Sequence, residues 1–489
     1  MNKTIRYSSF ENKFEVIYRN EIPTIQMPPH THNAIELYIS LTPLSNILLG
    51  DNVMPLKENS LLIIPSYCIH QFTQLPDCEY KRYIITISIM GRKVEIHDAM
   101  LEAADRYMEL HPNVTVVMET VGGGDDYDGT LKTRLNGGNM PTIFTLQGPQ
   151  NWDEWGENME DLSDQPWVPY MTEAAAEGST NAEGKVLGLP YSMEGYGYVY
   201  NKKIFEAAGI DGESLKTYEE IDTAFSKLKT MIDNGDLKDE FPDLEAVMDF
   251  PVKENWITGC HTINTGLNQE FPDENAAYEA KELKFTNAEE LKQIIDFQVK
   301  YTAAADNPVE LLSGDYSQSV GGGLAIERVA VLQQGNWINT EMADVNPEVA
   351  DNLGIIPIPL GDVVSGKLAV GVPCCYNVYS GASDAEKEAA KDFLNWLFQS
   401  DEGKDMVVHK MMSVPAFSNY DGVEPEDALG KVVKKYLDEG NTTAWVFNAF
   451  PAGFGDVFGN GVQAYVSGEK TWDEVVSDCK DAWSKARSK

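Results

Sequence analysis

The sequence has no run of eighteen apolar residues, so no segment of it reads as a membrane-spanning helix. Cysteine is scarce: six residues in 489, at positions 68, 78, 260, 374, 375 and 479, with no CxxC pair and no Cys/His spacing of a zinc site. That pattern excludes a disulfide framework and a zinc finger. The adjacent Cys374 and Cys375 lie in an apolar stretch and read as buried packing. Neither Gly122-Gly123-Gly124 nor Gly321-Gly322-Gly323 is followed by the Lys-Ser/Thr of a phosphate-binding loop or by the spaced glycines of a dinucleotide turn, so nucleotide binding is not expected. No apolar core of a secretory leader follows the basic residues near Met1, and no lipid-attachment cysteine stands there. As written, the chain is expected to remain in the cytoplasm.

Positive charge is also in short supply, with 38 Lys and Arg against 77 Asp and Glu and a net charge of -39. The imbalance is not uniform. Residues 1–90 hold seven basic against eight acidic side chains, which leaves 31 against 69 in residues 91–489. A segment so acidic is repelled by phosphate backbones and anionic lipid surfaces, which excludes nucleic acid as its partner and favours a neutral ligand. With 43% hydrophobic and 10% aromatic residues the chain can build real cores. Its length calls for two to four domains, since single cores stop growing well below this size.

From Phe14 to Thr86 the apolar runs are short and strand-like, IELYIS, NILLG, LLIIP and YIITISI, separated by Pro, Asn, Asp and Gly turns. This predicts a small β-barrel or sandwich. Within it His30, His32 and Glu36 share one face of a strand by alternation, and His70 follows the turn at Pro65. Three imidazoles and a carboxylate could hold a divalent metal; ordinary hydrogen bonding at a barrel mouth is the plainer reading of the same residues. MPPHTHNAIELYIS, LLIIPSYCIHQF and YKRYIITIS resemble the start of the cupin sensor domain of AraC-type transcription regulators. The resemblance implies an effector-binding barrel. The paired helix-turn-helix motifs that bind DNA in that family are not found in the chain.

Beyond Val94 the apolar period becomes helical, with Ile96, Met100, Ala103, Ala104, Tyr107 and Met108 on one face, and the strand-like VTVVMETV follows. Strands then alternate with helices, the pattern of an α/β sheet. HPNVTVVMETVGGGDDYDGTLKTRLNGGNMPTIFTL, GKVLGLPYSMEGYGYVYNKKIFEAAGI and TYEEIDTAFSKLK, with RVAVLQQGNWI, IIPIPL and SVPAF further on, resemble the carbohydrate-binding family of extracellular solute-binding proteins of ABC importers. The order is kept over about four hundred residues. It implies an α/β two-lobe periplasmic-binding-protein-like fold of type II over 85–489, preceded by a small all-β cupin-like segment over 1–84. The strand YIITISI is expected to serve the larger unit.

The resemblance further implies a carbohydrate ligand, mono- or oligosaccharide, held between closing lobes, with ABC permease subunits as partners, no cofactor and no enzymatic activity. The hinge is expected near 191–200, where Gly195-Tyr196-Gly197 would cross between lobes and absorb backbone rotation. Tyr191, Glu194 and Tyr196 would then face the cleft. Sugars present C–H patches that stack on aromatic rings and hydroxyls that need polar partners. Trp337 with Asn336 beside it, Trp152 on the first lobe, and Trp445, Asn448, Phe450 and Phe454 in a Gly-rich stretch supply both kinds. Aromatic residues are more often core than ligand contacts, and that reading stands beside each of them. Phe393 and Trp396, at helical spacing, are packing. The pairs Asp125/Asp126 and Asp153/Glu154 do not make a glycosidase in a chain this acidic, where such pairs arise by chance. The alternative to a transport module is an intracellular sugar-responsive sensor or regulator fragment, or a metal-binding cupin.

Overall fold

The computed structural model describes residues 85–488 apart from 123–125 and the side chain of Asp153; within 1–84 it describes seven strands, almost entirely as backbone. The chain divides into two compact units, Met1–Ile85 and Thr86–Lys489. In the first, Lys3–Ser9 pairs with Phe14–Asn20, Glu36–Ser40 with Ser60–Ile64, and Leu44–Leu49 with both Asn52–Leu56 and His70–Thr73, all antiparallel. His30 and His32 lie outside the described residues, as do the side chains of Glu36 and His70.

The second unit is a two-lobe mixed α/β structure. The sheet of its first lobe runs in the order Leu189–Pro190, Cys375–Val378, Ile143–Leu146, Ile85–Gly91, Val114–Thr120. The Ile85–Gly91 strand is therefore part of this lobe, parallel to Ile143–Leu146 through Ile89 and Ile143. The helix His97–Leu110 follows a short 3-10 turn at Val94–Ile96 and lays Met100, Ala103, Ala104 and Tyr107 against the sheet, the apolar stripe visible in the sequence. The helix Asp384–Gln399 packs beside it. Ser383 and Glu386 close its first turn as a capping box, and Phe393 and Trp396 meet Tyr107 at 5.1 and 5.4 Å between ring centroids.

The second lobe is built on the Glu194–Asn201 strand, buried at all eight positions. Val329–Gly335 pairs along one side of it. On the other side Leu368–Gly371 pairs with its first half and Leu353–Ile356 with its second, all antiparallel. Ala246–Asp249 and Thr442–Ala444 extend the sheet outward. Because both faces of the central strand are covered, it shows no alternation of apolar and polar residues. Tyr198, Phe225, Phe297 and Tyr301 fill the core between it and the helices Tyr218–Asn234 and Ala288–Tyr301.

The chain passes from the first sheet to the second through 191–193, returns through 372–374, between Leu368–Gly371 and Cys375–Val378, and crosses again after the helix Asp384–Gln399, where Val414 bridges Met193, before Thr442–Ala444 joins the second sheet. Gly195 and Gly197 do not lie in any of these passages; both sit inside the central strand. A Cβ at Gly197 would stand 2.4 Å from the Ile356 carbonyl oxygen, and one at Gly195 would stand 2.9 Å from Leu368 and 3.0 Å from Val433. Their lack of a side chain answers the close approach of neighbours in a two-sided sheet, not backbone rotation.

Candidate functional site

Arg92 and Lys93 follow the Ile85–Gly91 strand directly, and so stand at the carboxyl edge of the first sheet, the edge at which open α/β sheets bind ligands. The Lys93 ammonium lies 2.8 Å from the Glu194 carboxylate of the second lobe and 2.8 Å from Glu95. The Tyr191 hydroxyl donates to the same Glu194 oxygen at 2.7 Å. Burial works against the charge on Lys93, but Glu194 and Glu95 outweigh it and raise its pKa. For Glu194 burial pushes the carboxyl up while the Lys93 ammonium pulls it back. The physical sense is an ion pair in which each partner makes the other's burial tolerable. Arg92 is turned the other way, donating to Gln147 at 2.7 Å and Asp128 at 3.0 Å, with its guanidinium 4.4 Å from the Tyr127 ring.

Beside this pair the second lobe presents a set of rings centred on His261. Tyr196 stacks on its imidazole at 4.5 Å, and Trp337, Trp256, Phe447 and Trp445 surround it at 5.0, 5.4, 5.8 and 6.1 Å. Burial, and then Lys93, lower the His261 pKa to about 3, so the ring is neutral. Its Nδ1 is buried without a hydrogen-bond partner, as are Trp445 Nε1 and Gln334 Nε2. Orphaned donors and acceptors of this kind are costly unless something polar meets them. Trp337, partly exposed, donates its indole N–H to Gln334 at 3.0 Å. The ring lies across its own strand. A Cβ at Gly335 would fall 2.2 Å from Trp337 Cζ3, which is why glycine stands there. The Lys93 ammonium approaches the Trp337 ring to 5.8 Å, joining the ionic and aromatic halves of the site.

A third contact between the lobes lies around Glu274. Its backbone N–H donates to Glu177 at 2.9 Å, and Asn448 donates to its carboxylate at 3.1 Å and to the Val372 carbonyl at 3.0 Å. Gly148, at the start of the helix Gly148–Trp155, packs on Asn448 and Glu274 so closely that a Cβ there would stand 2.7 Å from Asn448 Cβ. Burial, and then Glu177, push the Glu274 carboxyl up to about 8.

The residues expected from sequence are distributed as follows. Tyr191, Glu194, Trp337, Trp445 and Tyr196 come together at this junction. Tyr196 is 1% exposed and its hydroxyl is occupied, donating to the His261 carbonyl at 2.8 Å and accepting from Asn264 at 2.9 Å, so it supports His261 instead of offering a free face. Asn336 is committed to Gly195: its side-chain oxygen accepts from the Gly195 N–H at 2.9 Å and its own N–H donates to the Gly195 carbonyl. Trp152 is buried in the Gly148–Trp155 helix with its indole N–H unpartnered. Phe454 does not join the site. It is 2% exposed and packs edge-on to Trp483 at 4.9 Å, with Phe450 at 5.3 Å, because the helix Phe454–Val466 turns its first ring into the second-lobe core. Lys93, Trp256 and His261 were not anticipated. The basic pair directly after an apolar strand was the available signal for Lys93; nothing local distinguishes KENWITGCHT from an ordinary helix.

Two α/β lobes joined by short crossing segments, with polar and aromatic side chains facing each other at the junction, define a two-lobe binding protein. Residues 102–428 match the family described as bacterial extracellular solute-binding protein, and the chain belongs to that family. No curated protein matches it by sequence. Among solved structures it is similar to a protein called SBP RafE in complex with raffinose, at 17% identity and a TM-score of 0.65 over 82% of this chain and 100% of that one. A chitin oligosaccharide binding protein is 19% identical, with a TM-score of 0.61 over 83% and 100% of the two chains. The ABC substrate-binding protein Lmo0181 from Listeria monocytogenes, in complex with cycloalternan, is 16% identical, with a TM-score of 0.60 over 83% and 99%. At such identities these likenesses speak for the fold. Among the described residues no helix is long and apolar enough to cross a membrane.

Proposed function

We propose that the chain binds a carbohydrate between its two lobes and delivers it to the permease subunits of an ABC importer, without catalysing a reaction. The observation that carries this reading is the set of rings around His261, with the partly exposed Trp337 among them, set against the Lys93–Glu194–Tyr191 network. Rings accept the C–H faces of a sugar, while an ion pair, a neutral imidazole and unpartnered N–H groups serve its hydroxyls. The similar structures named above carry raffinose and cycloalternan, which agrees with this chemistry. Trp337 is the stacking platform; Glu194, Tyr191 and Trp445 are the first supporting contacts, and Trp152, buried in the first lobe with its indole N–H unpartnered, is the expected counterpart there. The hinge is the passage 191–193 together with 372–374 and the crossing that holds Val414 beside Met193. Residues 1–84 are read as an AraC-type sensor segment whose His30, His32, Glu36 and His70 would be the ligands of a divalent metal, which elemental analysis of the purified chain tests. The family points to an extracellular site of action.

The direct test is a thermal-shift screen of the full chain against mono- and oligosaccharides. A ligand at one hundred times its dissociation constant adds about 2.7 kcal/mol. A concentration-dependent rise in melting temperature with one saccharide class supports the reading, and no rise with any saccharide removes it.

A further inference from the structure

The charges around the rings are not those a neutral sugar needs. Trp256 donates its indole N–H to Glu254 at 3.2 Å, and the Tyr316 backbone N–H donates to the other oxygen of the same carboxylate at 3.3 Å. The Tyr316 ring packs on Trp256 at 5.6 Å and its hydroxyl is bonded to Glu341. Glu95, Glu194, Glu254 and Glu341 thus border the rings, and among the described residues Lys93 is the one ammonium that meets any of them, pairing with the first two. Among the described residues neither Glu254 nor Glu341 has a cation within ion-pair distance. Burial pushes the Glu341 carboxyl up, Tyr316 works against this, and Glu95 adds to it. Two features besides the carboxylates point to a ligand: the buried His261 with Nδ1 unpartnered amid the rings, and the unpartnered Trp445 N–H.

Aromatic faces carry the negative end of the ring quadrupole, and rings bordered by uncompensated carboxylates attract a cation more than a neutral group. Lys93 already shows the preference, with its ammonium drawn to Trp337 and to two of the carboxylates. The excess of acidic residues over 91–489 steers cations toward the protein in the same sense.

We propose that the saccharide taken by this site carries a free amino group, whose ammonium seats against Trp256 and Trp337 and pairs with Glu341. This rests on the carbohydrate reading and narrows it to amino sugars with an unacylated nitrogen. A second ammonium offsets part of the charge that Lys93 leaves unmatched, and the His261 imidazole accepts from a neighbouring hydroxyl.

The test is titration calorimetry of the full chain with matched sugars of one linkage, from mono- to tetrasaccharide: the glucosamine form, its N-acetylated form and the glucose parent. At about 50 mM salt the amine-bearing member of a matched set is expected to bind at least about tenfold more tightly than either neutral member. That ratio should fall toward one at about 0.5 M salt and in Glu341→Gln. Neutral forms binding as tightly as the amine, or an amine preference untouched by salt and by Glu341→Gln, overturns this proposal alone and leaves the carbohydrate reading standing. Absence of binding by every saccharide overturns both.

Discussion

Lys93 and Glu194 come from different lobes, yet their charged atoms stand 2.8 Å apart, with the Tyr191 hydroxyl on the same carboxylate oxygen. The second lobe on its own would leave the buried Glu194 without its cation, while Lys93 would keep Glu95. The pair therefore couples the relative position of the lobes to the shape of the site between them.

Replacing Lys93 by Met should destabilise the chain by about 2 kcal/mol or more, because Glu194 stays buried without its cation. Glu194→Gln should cost less, since the Lys93 ammonium keeps Glu95. Chemical denaturation of the two variants and the double variant gives the coupling, expected to be at least ~1 kcal/mol. Strict additivity would show that the pair does not bridge the lobes in solution.

Gly335→Ala should weaken ligand binding although no ligand contact is removed. The added methyl would overlap the Trp337 ring, which must leave its position across the strand. Trp337 fluorescence should shift in the variant and saccharide affinity should fall. An unchanged spectrum with unchanged affinity would mean that the ring does not lie where it is described.

Phe454→Ala should cost about 3–5 kcal/mol of stability, the penalty for emptying a packed aromatic site. At temperatures where the variant is folded, its saccharide affinity should match the parent. A large loss of affinity with little loss of stability would return Phe454 to the binding site.

The Glu274 carboxyl ordinarily titrates near 4.5 and is pushed up to about 8 in the folded chain, by burial first and by Glu177 second. Between these pH values the folded chain holds a proton that the unfolded chain has released. Folding is favoured on the acid side of that window and loses stability as pH rises through it. Glu274→Gln should flatten the dependence of melting temperature on pH and raise melting temperature at pH 8, with the difference vanishing near pH 4. Identical pH profiles for the two proteins would contradict the burial of this carboxyl.

The helix His97–Leu110 and the strand-helix alternation were legible because each element has one covered face and shows its period. The central strand Glu194–Asn201 was harder: with both faces covered it has no period, and its two glycines looked like a flexible crossing when they answer the close approach of Ile356, Leu368 and Val433. Gly321-Gly322-Gly323, which lacks the residues of a nucleotide loop, lies in a π-helical turn over Val320–Leu324. Trp337 could be chosen from sequence because it stands in the RVAVLQQGNWI stretch that carries the family resemblance, with a polar neighbour in Asn336. Phe454 could not be sorted from it, since a Gly-rich aromatic stretch suits a loop and a tightly packed helix start alike. Lys93 and the stretch that carries Trp256 and His261 reach the site from two distant parts of the chain, and of that convergence only the basic pair after the first strand leaves a local trace.

The account depends most on Trp337 being the ring that the ligand covers. Calorimetric titration of the full chain and of Trp337→Ala, with whichever saccharide the thermal screen selects, tests it most directly. The expected result is an affinity loss of about thirtyfold or more, roughly 2 kcal/mol, with the melting temperature of the free protein nearly unchanged. Equal affinity in a folded Trp337→Ala protein would place the ligand elsewhere and contradict the account.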